Sequence, residues 1–414
     1  MNSRFFSYST CILFFSFLLP SCSVPLNSFS QQEESKLYVD PLSCNLPTDH
    51  GYQISKSFTS ENLQIFLILG EEEGELPEYM SLGLAMKSNK VEVKETGQVN
   101  ELSITNKSDK HIFIHSGDIV KGGKQDRTLA YDLIVPPLAK DMPLASFCVE
   151  QGRWRKRGNE STDNFSENKR MLSSRELRLA AKYEKNQSKV WQSVAYQKEA
   201  LSKKISDKMG EIVEVADGRS SSSLELALDN KELDRLRKKQ KTIYKNLLRQ
   251  YPKAMGYAYA INGEIYGIDI YNSRALFSQL WEKLLESVIV EAISKIDNSQ
   301  EIPLVKREEV EAYIRAGEGV EVKKEENQIN ELTQFETREC KDRYVLFSTR
   351  DRKQRNWVHK NYMRKAEATL VLPRLNQIHI QQATSTPPPE LLFRLRNNRI
   401  PIDTALRDTT RQRP

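Results

Sequence analysis

From residue 62 onward, short apolar segments are separated by polar turn residues, a pattern typical of β-strands. Apolar runs bounded by turn residues predict strands at residues 63–70, 101–105 and 111–115, with a short helix at residues 79–87. Residues 106–109 (NKSD) are typical of a turn and connect the last two strands. This part of the chain is therefore predicted to be a β-rich unit with local hairpins.

The clearest hairpin is predicted at residues 257–271, where Asn262 and Gly263 separate two alternating runs. Asn-Gly favours the two-residue turn whose twist matches that of the flanking strands. Ser273 then begins a helix that continues to about residue 296. Its apolar stripe is broad enough to cover one face of a sheet, so we expect this helix to belong to the core.

A helical insertion is predicted at residues 173–250. Ser173 and Glu176 have the spacing of a capping box at the start of a helix that continues to about residue 209. A second helix is predicted at residues 224–250. Together they form an antiparallel hairpin, interpreted as a solvated face or as a partner-binding arm.

The predicted fold class is α+β, with a β-rich core of antiparallel hairpins, a packed amphipathic helix and an inserted helical hairpin. Two more strands, at residues 344–347 and 357–359, complete the core. We expect one α+β domain at residues 60–363, followed by a disordered Pro- and Arg-rich tail at residues 366–414.

The first 22 residues have the pattern of an export signal, with Arg4 before a short apolar run. Residues 19–22 (LPSC) resemble a bacterial lipobox, in which Cys22 would be lipidated and attach the protein to a membrane. Cleavage without lipidation is the alternative. In either case residues 23–59 are predicted to be a tether and entry segment, and we expect the protein to be exported to the cell envelope.

Composition excludes several functional classes. With 62 basic and 56 acidic residues the net charge is +6, a mixed surface that does not favour a specific nucleic-acid binder. If Cys22 anchors the protein, Cys44, Cys148 and Cys340 remain, and this widely spaced trio leaves room for one bridge but shows neither a disulfide framework nor zinc spacing. Neither GxxxxGK[ST] nor GxGxxG occurs, and we predict no cofactor.

Two polar clusters lie between strand-like runs, at residues 117–127 and 148–154. Charged side chains this dense between buried segments either face a ligand or form a polar network with each other. In the first cluster, glycines permit close approach of the backbone or a sharp turn, and the basic side chains suit phosphate or carboxylate. The ligand-binding candidates of this cluster are Gly122, Gly123, Lys124, Gln125, Asp126 and Arg127.

The second cluster adds Arg153 and Trp154, a cation beside an aromatic plane that can hold an anionic sugar or a base. If the protein is an enzyme, Asp118 and Glu150 are the candidate acid and base, because carboxylates in different environments can have different pKa values. Alternatively, the basic residues of both clusters pair with these carboxylates inside the fold.

A metal centre is not predicted. The histidines His111, His115, His359 and His379 are scattered along the chain without cysteine ligands beside them. The two in the HIFIH strand are interpreted as surface residues that flank it.

The run from residue 63 to residue 154 resembles a bacterial family, the ADP-ribosylglycohydrolase- and rhodanese-phosphatase-superfamily-associated protein domain. The resemblance depends on four segments of that run and on two later ones, which are VNEL (99–102), GD (117–118), GKQDR (123–127), CVEQGRW (148–154), residues 256–292 and Val358-His359. The family takes its name from gene neighbourhoods with enzymes of ADP-ribose and NAD-derived metabolism, and association of this kind is not mechanism.

Three functions remain open at this point. The first is a binding domain for a small anionic ligand, nucleotide- or ADP-ribose-like, as the neighbourhood implies. The second is an enzyme that acts on such a molecule through Asp118 or Glu150. The third is a structural or interaction protein of the cell envelope with an unknown protein partner.

Overall fold

The protein is built from three β-sheets and a set of helices that cover them. The structure, a computed structural model, describes residues 51–153, 156–168, 172–215, 223–296, 301–318, 325–340 and 344–365. All of them belong to one structural unit. The predicted export signal with Cys22, residue Trp154 and the predicted tail lie outside the described residues.

The described strands in chain order are β1 Gln53–Ile54, β2 Phe58–Ser60, β3 Leu63–Leu69, β4 Tyr79–Ser81, β5 Val91–Glu95, β6 Glu101–Asn106, β7 His111–Ile114, β8 Ile119–Gly122, β9 Arg127–Leu129, β10 Leu133–Val135, β11 Met142–Cys148, β12 Phe165–Glu167, β13 Ala254–Ile261, β14 Glu264–Tyr271, β15 Glu325–Gln328, β16 Thr333–Cys340, β17 Tyr344–Asp351 and β18 Asn356–Arg364. The helices are α1 Leu82–Lys87, α2 Arg175–Arg178, α3 Gln187–Met209, α4 Leu224–Ala227, α5 Lys231–Tyr244, α6 Leu247–Gln250, α7 Arg274–Ser294 and α8 Arg307–Glu318, with a π-helical turn at Leu179–Tyr183 directly after α2.

Within the described ranges, the largest sheet has the order β1-β3-β13-β14-β18-β17-β16-β15, with β2 paired to β3. A second sheet has the order β12-β8-β9-β11-β6-β5, and a third the order β10-β7-β4. Pairing is antiparallel except between β4 and β7, which are parallel. The α+β class with a β-rich core is therefore confirmed.

Helix α7 is the central helix that the sequence predicts. Ser273 caps it, since the Ser273 hydroxyl accepts a hydrogen bond from the backbone N–H of Leu276. The helix packs on β13 and β4 and also contacts α3 and α5. Both its apolar stripe and most of its last turns are buried, which confirms its place in the core.

The Asn262–Gly263 hairpin is also confirmed, with positive φ values of 52° and 77°.

Two expectations about local structure are wrong. Strands β6 and β7 do not form a hairpin, because β6 pairs with β5 and β11 whereas β7 pairs with β4 and β10. The helix predicted at residues 173–209 is interrupted by the π-helical turn and by residues 184–186. The hydroxyl of Ser173 does not cap it either, because it forms a hydrogen bond with the hydroxyl of Thr128 at 2.8 Å.

The inserted helices bury their apolar sides instead of lying free in solvent. Val190, Val194, Leu201 and Ile205 of α3 are buried in the same hydrophobic core as α7. The predicted second helix is divided into α4, α5 and α6. Within the described ranges, no helix combines the length and apolarity needed to cross a bilayer.

Candidate functional site

The two predicted polar clusters meet in the folded protein. Strands β9 and β11 pair so that Arg127 lies opposite Cys148, which brings the residues just outside both strands together. The backbone N–H of Asp126 donates to Oε2 of Glu150 at 2.9 Å. Arg153 contacts both carboxylates, with 3.2 Å between its Nη2 and Oδ1 of Asp126. These side chains therefore form one polar network.

Arg157, which was not predicted, completes this network. Its Nη1 lies 3.1 Å from Oδ2 of Asp126 and 3.1 Å from Oε1 of Glu150. We call Asp126, Glu150, Arg153 and Arg157 the ion network. Its members are at most 7% exposed, and Glu150 is 0% exposed. Because two carboxylates face two guanidiniums beneath the surface, the network satisfies its own charge.

Protonation in the ion network follows from burial and pairing. Burial, together with the charge of Glu150, raises the pKa of Asp126 to about 6. Burial also disfavours the charged form of Glu150, but hydrogen bonds from Arg153 and from the backbone of Asp126 outweigh it and lower the pKa of Glu150. Both carboxylates are therefore ionised at neutral pH, and Asp126 is the first of the two to take up a proton as the pH falls.

The other candidates of the first cluster surround this network. Gly122 and Gly123 both have positive φ, and a Cβ on Gly123 would lie 2.5 Å from the ring of Phe165, so a glycine is required there. Gln125 is buried, and Lys124 is exposed. Arg127 is buried and donates from Nη1 to the carbonyl of Val99 at 2.8 Å.

Asp118 lies apart from Glu150, and no hydrogen bond or ion pair joins the two in the described part of the chain. Oδ2 of Asp118 accepts a hydrogen bond from the backbone N–H of His115 at 2.9 Å. Its Oδ1 lies 3.8 Å from Nζ of Lys283. Burial raises the pKa of Asp118. Its contacts position the backbone of His115.

A second group of buried polar side chains was not predicted. We call His115, Asp132, Asp269 and His359 the histidine cluster; all four are at most 2% exposed. Nδ1 of His359 lies 2.9 Å from Oδ2 of Asp132, and its Nε2 lies 3.1 Å from Oδ1 of Asp269. The rings of His115 and His359 are 4.9 Å apart between centroids. The donor atoms of His115, Asp269 and His359 all lie within 4.8 Å of one another.

Strand register explains why residues so distant in sequence meet. In the largest sheet, Tyr271 of β14 lies opposite His359 of β18, and Asp269 lies opposite Asn361 two residues along. Residues two apart on a strand point to the same face, so all four side chains share it. His115 follows β7 and approaches that face from the three-stranded sheet. The cluster thus lies where two sheets meet.

Two cations reach the cluster from α2 and the π-helical turn. Nη1 of Arg178 lies 3.5 Å from Oδ1 of Asp269, and Nζ of Lys182 lies 3.5 Å from Oδ2 of Asp132. A Cβ on Gly117 would lie 2.8 Å from the aliphatic stem of Arg178, so this glycine makes room for the arginine. Insertions of π-helix are often found at functional sites.

The interpretation of the HIFIH histidines as surface residues is wrong for His115, which is 0% exposed. The histidines are also not scattered in space, because β7 and β18 bring His115 and His359 into contact. A sequence signal was present but not used. Asp269 lies between Ile268 and Ile270, and His359 directly follows Trp357 and Val358; a titratable side chain in such a position must have a partner once it is buried.

Electrostatics separate the two histidines. Burial, together with His359, lowers the pKa of His115 to about 3 and keeps its ring neutral. Burial also opposes protonation of His359, but Asp132 and Asp269 outweigh it and raise its pKa. Arg178 and His359 in turn hold the pKa of Asp269 well below its usual range, although burial opposes this.

A small cavity of about 220 Å³ opens beside this cluster. We call it the lysine pocket; it is lined by Lys182, Tyr183, Lys185, Phe335, Thr337, Glu339 and Phe347. Nζ of Lys182 lies 4.6 Å from the centroid of the Phe347 ring. Lys182 therefore lies between the pocket and Asp132 of the histidine cluster.

Comparison with known proteins gives one match. The family model of the ARG and Rhodanese-Phosphatase-superfamily-associated Protein domain matches residues 51–363, which include both the ion network and the histidine cluster. No curated protein and no solved structure matches the chain. Because the matched region is most of the chain, the protein belongs to the ARG and Rhodanese-Phosphatase-superfamily-associated Protein domain family.

Proposed function

We propose that the domain binds a small anionic ligand in the lysine pocket. The observation that supports this most directly is the position of Lys182, a residue of the pocket lining whose ammonium group lies 3.5 Å from Asp132. Burial lowers the pKa of Lys182, so an anion in the pocket would stabilise its charged form. Lys185 adds a second cation to the lining.

The chemistry of the lining favours a phosphate-bearing ring. Tyr183, Phe335 and Phe347 present aromatic surface, which sugars and bases contact through stacking. The acidic residue of the pocket, Glu339, is paired with Lys365 at 2.9 Å and therefore repels an anion less. Ligand pockets commonly measure about 300–1,000 Å³. At about 220 Å³ this pocket accommodates a sugar phosphate or one end of a nucleotide- or ADP-ribose-like molecule.

The ion network is a weaker candidate for the binding site. Its guanidiniums already face the carboxylates of Asp126 and Glu150, and all four side chains are buried. An anion would have to displace these carboxylates from the guanidiniums. The lysine pocket is therefore a better candidate for ligand binding than the two polar clusters predicted from the sequence.

Thermal shift with inorganic phosphate, ribose 5-phosphate, AMP and ADP-ribose tests the proposal. A ligand at 100 times its Kd stabilises the native state by about 2.7 kcal/mol, which raises Tm. Lys182→Met should abolish the shift, whereas Lys189→Met, on an exposed lysine paired with Glu184, should retain it. If no compound raises Tm, ligand binding is contradicted and the scaffold function of the cell envelope becomes the better proposal.

We also propose that the protein acts after export, with Cys22 as the lipid attachment site. The support is the charged, apolar and LPSC pattern of residues 1–22. Membrane fractionation of cells that express the full chain tests this, with Cys22→Ala as the comparison. Wild type in the membrane fraction and the variant in the soluble fraction is the expected result. Identical distribution of the two contradicts lipidation.

A further inference from the structure

The geometry points to a binding site for a divalent transition metal formed by His115, Asp269 and His359. Two imidazole nitrogens and one carboxylate oxygen come from three separate strands or strand ends and lie within 4.8 Å of one another. Two histidines and one carboxylate are a recurrent ligand set for zinc and for non-haem iron(II). This proposal is independent of the lysine pocket and of any anionic ligand.

The first supporting observation is an unused nitrogen on His115. Its Nδ1 lies 2.7 Å from the carbonyl oxygen of Ser116. A carbonyl can only accept, so Nδ1 carries the proton and Nε2 has the lone pair. Nε2 is buried and has no hydrogen-bond partner among the described residues. Leaving a buried nitrogen without a partner is unfavourable, and a metal ion would supply one.

The second observation is the support behind each imidazole. Histidines that bind metals usually donate their other ring nitrogen to a carboxylate or a backbone carbonyl, which fixes the tautomer and the ring orientation. Here Asp132 takes that role for His359 at 2.9 Å, and the carbonyl of Ser116 takes it for His115. Asp132 is itself held by the hydroxyl of Thr349 at 2.6 Å. On each histidine Nδ1 is engaged by this support, so Nε2 is the nitrogen left to bind a metal.

A third observation concerns rigidity. Tyr271 stacks on His359 with centroids 4.3 Å apart and planes 7° from parallel, which fixes the plane of that ring. Asn361 donates to Oδ1 of Asp269 at 2.6 Å and fixes the carboxylate. Donor atoms of metal sites are about 2.0–2.2 Å from the ion and hence roughly 3 Å from each other. Movement of the three donors by less than about 2 Å would therefore complete the site.

Charge and donor type select the class of metal. In the metal-free arrangement Nε2 of His359 faces Oδ1 of Asp269 at 3.1 Å, and a metal would replace the proton between them. Asp132 and Asp269 carry two negative charges, and Arg178 and Lys182 already lie beside them, so release of the His359 proton on metal binding limits the gain of positive charge. Magnesium and calcium prefer oxygen-only shells, whereas imidazole ligands favour zinc, iron, cobalt and nickel.

The test uses the full chain after removal of metal with a chelator, and zinc chloride as the probe. Calorimetry and thermal shift should show one equivalent of Zn²⁺ bound with a rise in Tm. Loss of a support residue weakens metal sites by about 10–100-fold, so Asp132→Asn should do that and His115→Ala should weaken binding at least as much. His111→Ala is the matched control, since His111 begins the same strand but is outside the cluster and should change nothing.

Two outcomes would overturn the site. One is the absence of a Tm rise with Zn²⁺, Fe²⁺, Co²⁺ and Ni²⁺. The other is equal affinity of wild type and His115→Ala. If His115→Ala does not fold, X-ray absorption spectroscopy of the zinc-loaded wild type tests the site instead. The expected result is a zinc ion with only oxygen and nitrogen ligands, two of which are imidazoles. A sulfur ligand, or a shell without imidazole, refutes the assignment. The probe is the metal alone, so failure here leaves the test of the lysine pocket unaffected.

Discussion

Replacing Glu150 with alanine is the sharpest test of the ion network. The carboxylate is 0% exposed and accepts hydrogen bonds from the backbone of Asp126 at 2.9 Å, from Nε of Arg153 at 2.5 Å and from Nη1 of Arg157 at 3.1 Å. Its removal leaves Arg153 paired with Asp126, and leaves Arg157 paired with Asp126 and with the partly exposed Glu160. The variant therefore loses the carboxylate that joins the two guanidiniums, and the buried amide of Asp126 and Nε of Arg153 lose their acceptor.

The expected cost follows from this arrangement. Removal of one partner from a buried ion pair typically lowers the free energy of unfolding by about 3–5 kcal/mol, because the remaining charge stays desolvated. Native proteins are stable by only about 5–15 kcal/mol in total. Glu150→Ala should therefore lower the free energy of unfolding by a large fraction of its total. If Glu150 instead lay in an open ligand site, water would solvate the arginines and the loss would be much smaller.

Urea denaturation followed by circular dichroism measures the change. The matched control is Glu184→Ala, which removes an exposed pair with Lys189 and should change stability by less than about 1 kcal/mol. A loss for Glu150→Ala no larger than that for Glu184→Ala would refute the conclusion that the network is closed and self-compensated.

Three more substitutions have defined outcomes. Burial and the charge of Glu176 raise the pKa of Glu291 to about 7, so this carboxyl ionises at lower pH in the unfolded state and the stability falls as the pH rises from about 4.5 to 7. Glu291→Gln should remove roughly 1–3 kcal/mol of that fall, as measured by urea denaturation at several pH values. An unchanged pH profile of stability contradicts this prediction. Gly256→Ala would place a Cβ against the carbonyl oxygen of Asp269 on the neighbouring strand. It should lower the free energy of unfolding, measured by urea denaturation, by about 1–3 kcal/mol. No loss of stability would exclude this close contact between the strands. The Tyr271 hydroxyl is buried without a partner among the described residues, so Tyr271→Phe should leave Tm unchanged or raised, and a clear drop would reveal a hydrogen bond.

Much of the fold follows from local patterns. Strand β3, the Asn262–Gly263 hairpin and helix α7 were predicted because each has a strong periodic or turn signal within a few residues. Pairing between distant strands has no such signal. For that reason the turn signal at residues 106–109 predicts a hairpin of β6 and β7, although the two strands belong to different sheets. The break after α2 was missed because a π-helical turn preserves helical composition.

The sites divide in the same way. The residues of the ion network lie within two short polar segments, so the high density of charged residues there is enough to predict Asp126, Glu150 and Arg153 as candidates. Arg157 lies just beyond the second segment and was not predicted. The histidine cluster unites residues 115, 132, 269 and 359, which meet only through the register of β14, β18 and the end of β7. What the sequence does contain is a polar residue within an apolar strand, as at Asp269 between Ile268 and Ile270. Such a residue indicates a partner without naming it.

Hydrogen-bond satisfaction distinguishes the two groups of buried charges. Each carboxylate oxygen of Asp126 and Glu150 accepts at least one hydrogen bond from an amide or a guanidinium, so the ion network needs nothing more to be stable. The histidine cluster lacks this completeness, because Nε2 of His115 has no donor among the described residues although its ring is held in place. A buried polar network in which every group is hydrogen-bonded stabilises one fold. A rigid network with an unpaired acceptor is suited to bind a ligand or a metal ion. The chemistry of this domain should therefore be sought first at His115 and His359, and the ion network should be regarded as the framework that joins β8 and β9 to the segment after β11.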